Sequence, residues 1–133
     1  MRYIDSTVFV GSTLKEPNCD QAVKSFIEDP EGGITASLTW DEYVYLIRKK
    51  NGFEASSIAS DFFLRIPKLM IIEIGGRTIE KAHHIMVQYR LKPRDAIHVA
   101  CMLEKGVREI VTDDVDFDKV KEIKRIAIKD AGK

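Results

Sequence analysis

Short apolar segments alternate with longer helical patterns along this sequence, and this alternation restricts the fold more than any other feature. The apolar segments are too short for helices, and Gly, Pro or polar residues separate them from their neighbours. Strands are predicted at residues 3–5, 34–37, 69–72, 109–112 and 126–128. Helices are predicted at about residues 6–10, 18–27, 37–50, 55–66, 78–89 and 94–105. Buried apolar strands that alternate with helices predict an α/β layer fold with a parallel sheet.

Composition and charge indicate the class of protein. The sequence has 133 residues, 44% apolar and 32% charged, which is typical of one globular domain, residues 1–133. Basic and acidic residues number 21 each, which argues against a protein that holds nucleic acid through bulk positive charge. No apolar run approaches the ~18 residues of a membrane span, and no signal-peptide pattern is expected at the N-terminus. Two distant cysteines, Cys19 and Cys101, favour free thiols and a cytoplasmic location.

Acidic residues from four distant parts of the chain are predicted to meet at one edge of the sheet. Asp5 follows the first strand, and the acidic turn Asp113–Asp116 follows the fourth. Glu42 lies in the first turns of the helix after the second strand. Asp95 lies in the first turn of a largely apolar helix that begins just after Pro93. Because ligands of parallel sheets bind beyond the carboxyl ends of the strands, we expect these acids to form one site.

A cluster of ionised carboxylates is unstable unless something neutralises it. Two unit charges about 4 Å apart repel by roughly 4 kcal/mol at an effective dielectric constant of about 20. A hard divalent cation removes that repulsion, and oxygen ligands without converging His or Cys favour Mg²⁺ or Mn²⁺ over Zn²⁺. Such ions lower the pKa of a bound water and hold a phosphodiester for attack. The acids therefore predict metal-dependent hydrolysis of phosphodiester bonds.

Four short segments contain these acids and form a recognisable series. They are Ile4–Val8, Ser37–Glu42, Pro93–Ala100 and Thr112–Phe117. In this order and spacing they resemble the PIN-domain family over nearly the whole chain, and especially its VapC-type toxins. By this resemblance the second acid is Glu42 rather than Asp41. The last segment fits the family's Thr-x-Asp-x-Asp-Phe pattern, which assigns Asp114 as the fourth acid and Asp116 as an auxiliary one, with Asp113 as the alternative to Asp114.

The resemblance implies both a fold and a function. The fold is a three-layer α/β/α sandwich around a five-stranded parallel sheet, and the function is that of a Mg²⁺- or Mn²⁺-dependent endoribonuclease. The site residues implied, all as metal ligands directly or through water, are Asp5, Glu42, Asp95, Asp114 and Asp116. The partners implied are an RNA substrate, a small antitoxin that covers the pocket and apolar grooves, and a second copy of the chain in a homodimer.

Two other functions remain open from the sequence. One is a PIN-like binding or assembly module without turnover, which the complete set of acids argues against. The other is a phosphatase with Asp5 as nucleophile, but such enzymes place a second acid two residues later, where this chain has Thr7. Taken singly, Asp5 and Asp95 could equally be helix caps. The joint pattern, rather than any single acid, supports the metal site.

The other candidate residues are interpreted as structural. The histidines have no Cys or His partner at zinc-ligand spacing, and one cysteine and three aromatic side chains are expected to pack. These residues are His83, His84, His98, Cys101, Trp40, Tyr43 and Tyr45. Ser6 has no apparent base partner and is not proposed as a nucleophile. Arg90, Lys92 and Arg94 can contact RNA phosphates, with an ordinary solvated surface as the equal alternative.

Overall fold

A computed structural model describes residues 1–132 of the chain, which contain five short strands and six α-helices. The strands are β1 (Arg2–Ile4), β2 (Gly33–Ala36), β3 (Leu69–Ile72), β4 (Glu109–Val111) and β5 (Lys124–Ile126). The helices are α1 (Ser6–Thr13), α2 (Cys19–Glu28), α3 (Ser37–Asn51), α4 (Phe53–Arg65), α5 (Gly76–Tyr89) and α6 (Pro93–Glu104). Short 3₁₀ turns at Val115–Lys119 and Ile128–Asp130 follow β4 and β5. Within the described residues, none of these helices combines the length and apolarity that a bilayer crossing requires.

The strands form one parallel sheet in the order β3-β2-β1-β4-β5. The chain moves outward from β1 through β2 to β3, then crosses back and adds β4 and β5 on the other side of β1. Tyr3 pairs with Ile34 on one side and with Ile110 on the other, which sets the register of the three central strands. The strand order therefore reverses at β1, and ligands of parallel sheets bind at the carboxyl edge of such a reversal.

Helices cover both faces of the sheet, so the predicted three-layer α/β/α architecture is confirmed. Neighbouring residues of β1 point to opposite faces. Ile4 packs in one core with α1, α2, α3 and α4, whereas Tyr3 packs in a second core with α5 and α6. Helix α6 is nearly enclosed, and Val99, Ala100 and Cys101 are inaccessible to solvent. Both cysteines are free, as predicted, and both are buried, which was predicted for Cys101.

The two edge strands differ from the predictions. The run 69–72 was expected to be a buried strand, but as the edge strand β3 it leaves Met70 and Ile71 52% and 39% exposed. The fifth strand, expected at residues 126–128, is Lys124–Ile126 instead. Ile128 lies in a 3₁₀ turn, where its N–H donates to Asp113 Oδ1 at 2.9 Å. Apolar content alone does not reveal which strands lie at an edge or where ladder pairing stops.

The aromatic residues of α3 were all expected to pack, and one of the three does so fully. Tyr43 is inaccessible, whereas Trp40 and Tyr45 are 40% and 61% exposed. The buried positions of α3 are Thr39, Tyr43 and Ile47, which are four residues apart and share one helix face. Trp40 and Tyr45 lie on other faces of the helix, so the expectation of packing was wrong for them.

Candidate active site

Asp5 is the first acid of the site and also the N-cap of α1. It follows β1 directly and is buried. Its Oδ1 accepts a hydrogen bond from the Ser6 N–H at 2.8 Å, and its Oδ2 accepts from the hydroxyls of Thr7 and Thr112 at 3.0 and 2.8 Å. The capping role and the site role considered for Asp5 are therefore compatible. The carboxylate is fixed at the carboxyl end of the central strand.

Thr112, the residue after β4, connects two of the acids. Its buried hydroxyl donates to Asp5 Oδ2 and accepts from the Asp114 N–H at 3.1 Å. The Asp114 carboxylate in turn accepts from the Asp116 N–H at 2.9 Å and caps the 3₁₀ turn. These bonds hold the acidic turn after β4 beside the end of β1.

Glu42 comes from the second turn of α3 and is held by a residue of α6. Its Oε1 lies 2.6 Å from Nε2 of His98, whose other ring nitrogen, Nδ1, lies 2.5 Å from the Tyr3 hydroxyl. His98 is 1% exposed. Burial lowers the pKa of His98, but the hydrogen bond and charge of Glu42, followed by the charges of Asp5 and Asp95, outweigh burial and raise the pKa overall. From the sequence, only a structural role was expected for His98; it is buried, and it also contacts the site.

Asp95, in the first turn of α6, faces Asp114 and Asp116. One oxygen from each of these three carboxylates lies within 4.8 Å of the others. Burial, followed by the charges of Asp114 and Asp5, raises the pKa of Asp95 to about 6. Asp95 Oδ2 is buried and has no hydrogen-bond partner among residues 1–132. A buried carboxylate oxygen without a donor, next to further carboxylates, is a position that suits a cation.

Asp113 points away from these acids. Its Oδ1 accepts the hydrogen bond from the Ile128 N–H, which fixes the turn that follows β5. Asp114, in contrast, contributes an oxygen to the group that contains Asp95. The geometry therefore favours Asp114 over Asp113 as the fourth acid.

The five acids of the predicted site lie at this edge of the sheet in two groups, each with its ligand atoms within 4.8 Å of one another. The groups are Asp5, Glu42 and His98, and Asp95, Asp114 and Asp116. The groups are close enough that the charge of Asp5 raises the pKa of Asp95. All the atoms that could bind a metal are carboxylate oxygens except the His98 imidazole nitrogen, which already contacts Glu42. This donor set fits a hard cation such as Mg²⁺ or Mn²⁺.

A surface cavity opens beside Glu42. It is lined by Ser6, Asp41, Glu42, Tyr45, Leu46 and Arg94. Arg94 is exposed and directly precedes Asp95 in α6, so a guanidinium lies at the border of the acidic site. Arg90 and Lys92 are exposed as well, just before α6. A cavity lined by both acidic and basic side chains is suited to a polyanion that also contacts a metal.

The PIN domain family model matches residues 2–123 of the sequence. The chain belongs to the PIN-domain family. The match includes all five acids of the site and every strand except β5. The resemblance recognised in the four sequence segments is thereby confirmed. Among curated proteins, none is similar enough to this PIN domain to count as a match.

Solved structures of toxin–antitoxin proteins share the fold of this PIN domain. VapC20 from Mycobacterium tuberculosis, described as a toxin that cleaves the sarcin–ricin loop, has a TM-score of 0.74 at 17% identity, covering 89% of this chain and 93% of its own. VapBC2 from Rickettsia felis, bound to a DNA fragment from its promoter, has a TM-score of 0.76 at 15% identity, covering 96% and 98%. A toxin–antitoxin complex from Klebsiella pneumoniae has a TM-score of 0.71 at 18% identity, covering 93% and 96%. At such identities the likeness establishes the fold.

Three residues of the site were not predicted as functional: Tyr3, His98 and Thr112. The His98–Glu42 contact joins residues 56 positions apart, so no local pattern announces it. One signal was available, because His98 lies three residues after Asp95 and therefore on a neighbouring face of the same helix. Thr112 is part of the recognised Thr-x-Asp-x-Asp-Phe segment, but its hydrogen bonds to Asp5 and Asp114 are evident only in the folded chain.

Proposed function

We propose that this PIN domain is a divalent-metal-dependent endoribonuclease that hydrolyses RNA phosphodiester bonds, and that it acts as the toxin of a toxin–antitoxin pair. The proposal depends most on the buried Asp95 Oδ2, which has no hydrogen-bond partner among residues 1–132 and lies beside Asp114 and Asp116. An unsatisfied buried polar atom costs about 1–3 kcal/mol, and a bound cation would remove that cost. The description of VapC20 as a toxin that cleaves the sarcin–ricin loop supports RNA as the substrate class.

The acids would share the work of holding the metal. The ligands, directly or through water, would be Asp5, Glu42, Asp95 and Asp114, with Asp116 assisting. When bound, Mg²⁺ or Mn²⁺ supplies a water of lowered pKa and positive charge beside the phosphate oxygens. Asp5 would remain oriented by its three donors, and the acidic turn would remain fixed to it through Thr112. No side chain is required as a separate general base.

The RNA would be held by charge at the rim of the site. Arg94 lines the cavity beside Glu42, and Arg90 and Lys92 are exposed on the approach to α6. Contacts of this kind position a nucleic acid without reading its sequence. Their substitution is therefore expected to weaken RNA binding, and to reduce its salt dependence, without affecting metal binding.

The first test is cleavage of a mixed pool of structured RNA by the purified protein, in Mn²⁺ or Mg²⁺ against EDTA. Asp95→Asn is the matched variant, because it removes a charge and little else. We expect cleavage by the wild type in metal alone and none by the variant. Cleavage in EDTA, or by Asp95→Asn, would contradict the proposal. Metal binding by the wild type without cleavage of any RNA would favour the PIN-like binding module instead.

We propose a small antitoxin as the protein partner, docked on the hairpin of α3 and α4. Six large apolar side chains are exposed on this hairpin: Trp40, Tyr45, Phe53, Ile58, Phe62 and Leu64. Trp40, Tyr45, Phe53 and Leu64 line one surface cavity, and Ile58 and Phe62 line a second one. Contiguous exposed apolar surface marks interaction sites. The solved Klebsiella pneumoniae structure, a toxin–antitoxin complex, supports this class of partner. A candidate antitoxin should block cleavage by the wild type but not by Ile58→Glu, and equal inhibition of both would contradict the proposed surface.

A homodimer is also proposed, as the family resemblance implies. Ile79 and Val87 of α5 are 48% and 62% exposed, and a second copy would cover such side chains. Light scattering should give twice the chain mass of 15.1 kDa, and the mass of one chain would exclude the dimer.

The cytoplasmic location remains a prediction, with which the free thiols of Cys19 and Cys101 are compatible.

A further inference from the structure

A row of buried hydrogen bonds connects Glu42 with the middle of the sheet. Glu42 Oε1 lies 2.6 Å from His98 Nε2, and His98 Nδ1 lies 2.5 Å from the Tyr3 hydroxyl. The Tyr3 oxygen also accepts from the Ala36 N–H at 3.1 Å. His98 and Tyr3 are almost completely inaccessible. Glu42 therefore has a partner that is itself anchored on β1 and β2.

Hydrogen-bond chemistry gives this row a direction. An ionised carboxylate only accepts, so the short contact with Glu42 requires a proton on Nε2 of His98. In the neutral imidazole, Nδ1 must then accept, and the Tyr3 hydroxyl is the donor that it meets. In the charged imidazole, Nδ1–H donates to the Tyr3 oxygen instead. The bond from Nε2–H to Glu42 is the same in both forms.

Glu42 is the acid of the site that most needs such support. Its side chain has three rotatable bonds, is 17% exposed and lines the same cavity as Arg94. Its second oxygen, Oε2, accepts no hydrogen bond from residues 1–132. Without the bond to His98, the carboxylate could turn into the cavity toward the exposed guanidinium. Asp5, in contrast, is held by three donors from its own surroundings.

We propose that His98 is a positioning residue, which holds Glu42 through Oε1 so that Oε2 remains available to a cation beside Asp5. This inference rests on the proposed function, because it concerns how the metal site is assembled. The ligand atoms of Asp5, Glu42 and His98 already lie within 4.8 Å of one another. Groups that hydrogen-bond a metal ligand typically change metal affinity or activity by about 10–100-fold.

The test measures the affinity for Mn²⁺ directly, from the decrease of the electron paramagnetic resonance signal of free Mn²⁺ as the protein binds it. His98→Asn is too short to reach Glu42, whereas His98→Gln retains an amide donor at about the reach of Nε2. We expect His98→Asn to weaken Mn²⁺ binding by about 10–100-fold and His98→Gln to recover most of that loss. Because His98 acts through Glu42, His98→Asn should have no further effect in a Glu42→Gln background.

Two results would overturn the inference. One is wild-type Mn²⁺ affinity in His98→Asn. The other is an additive loss in the double variant, which would make His98 a metal ligand in its own right. If the wild type binds Mn²⁺ and cleaves RNA while His98→Asn binds equally well, only the positioning role fails. If the wild type binds no Mn²⁺, the proposed function fails together with it.

A second variant protects the test against misfolding, because His98 is buried. Tyr3→Phe removes one hydroxyl and preserves the shape of the ring in the core. It should retain the native fold by circular dichroism and weaken Mn²⁺ binding in the same direction by a smaller factor. The positioning role would also be rejected if folded Tyr3→Phe bound Mn²⁺ with wild-type affinity and His98→Gln bound Mn²⁺ no more tightly than His98→Asn.

Discussion

The two groups of acids at the edge of the sheet are built in opposite ways. In the first group, Asp5 accepts three hydrogen bonds and Glu42 is held by buried His98. In the second group, Asp95 has a buried oxygen without a donor among residues 1–132 and a pKa that burial and the charge of Asp114 raise to about 6. The first group is oriented before any ligand arrives, whereas the second is under electrostatic strain that a cation would relieve.

A site that combines the two groups is preorganised and also attractive to a cation. Carboxylates that accept hydrogen bonds from the protein, as Asp5 and Oε1 of Glu42 do, keep their geometry without a bound ligand. Unsatisfied carboxylates gain much from a cation but repel one another without it. The first group therefore provides fixed geometry, and the second provides the stronger attraction for a cation.

The largest effect is expected on cleavage, from Asp114→Asn. We expect metal-dependent RNA cleavage to fall by more than about 100-fold, because even substitutions around a metal ligand cost about 10–100-fold. The matched control is Asp113→Asn, since the neighbouring Asp113 faces Ile128 and its Asn replacement retains an acceptor. Gel assays of both variants measure the contrast. Equal losses in the two would refute the choice of Asp114.

The next effect is stabilisation by the metal. Mn²⁺ at about 100 times its dissociation constant should raise the free energy of unfolding of the wild type by about 2.7 kcal/mol. Mn²⁺ should stabilise Asp95→Asn far less, because the substitution replaces the carboxylate that attracts the cation with a neutral amide. Thermal denaturation with and without Mn²⁺ measures both gains, with Ca²⁺-free EDTA buffer as the reference. Equal gains would show that Asp95 does not contribute to binding the cation.

Without metal, equivalent substitutions in the two groups should change stability in opposite directions. Asp5→Asn weakens an N-cap and two hydroxyl contacts, so it should destabilise by about 1–2 kcal/mol. Asp95→Asn removes a repelled charge, so it should stabilise at pH 7.5 by an amount on the order of 1 kcal/mol, after allowance for solvent screening of a partly exposed group. Urea unfolding in EDTA compares them, and changes of the same sign would break the contrast.

The smallest effect is expected in the pH dependence of stability without metal. An unfolded Asp has a pKa of about 4 and folded Asp95 one of about 6, so between these values the folded chain holds a proton that the unfolded chain has released. The resulting stabilisation is complete below about pH 4 and is lost as the pH rises to about 6. The wild type should therefore lose on the order of 1 kcal/mol relative to Asp95→Asn across this window, after allowance for solvent screening. The free energy of unfolding of both proteins is measured against pH in EDTA, and the same pH dependence in both would contradict this prediction.

Much of this molecule could be predicted from the sequence because the relevant signals are local. The apolar spacing predicted the helices and central strands. The position of each acid, either just after a strand or in the first turns of a helix, predicted which edge of the sheet it would occupy. The prediction was wrong for the burial of Met70 and Ile71 and for the start of β5. Those features depend on what covers a strand, and the covering elements come from elsewhere in the chain.

The family, the layered fold and the order of the acids could be predicted from sequence, because hydrophobic periodicity and motif spacing are properties of neighbouring residues. That Asp114 rather than Asp113 lies beside Asp95, and that His98 contacts Glu42, became evident only in the folded chain. The same holds for the contrast between a bonded and an unsatisfied group of carboxylates. The physical reason is that hydrogen-bond partners and burial are set by residues far apart in sequence, which meet once the sheet and helices have packed.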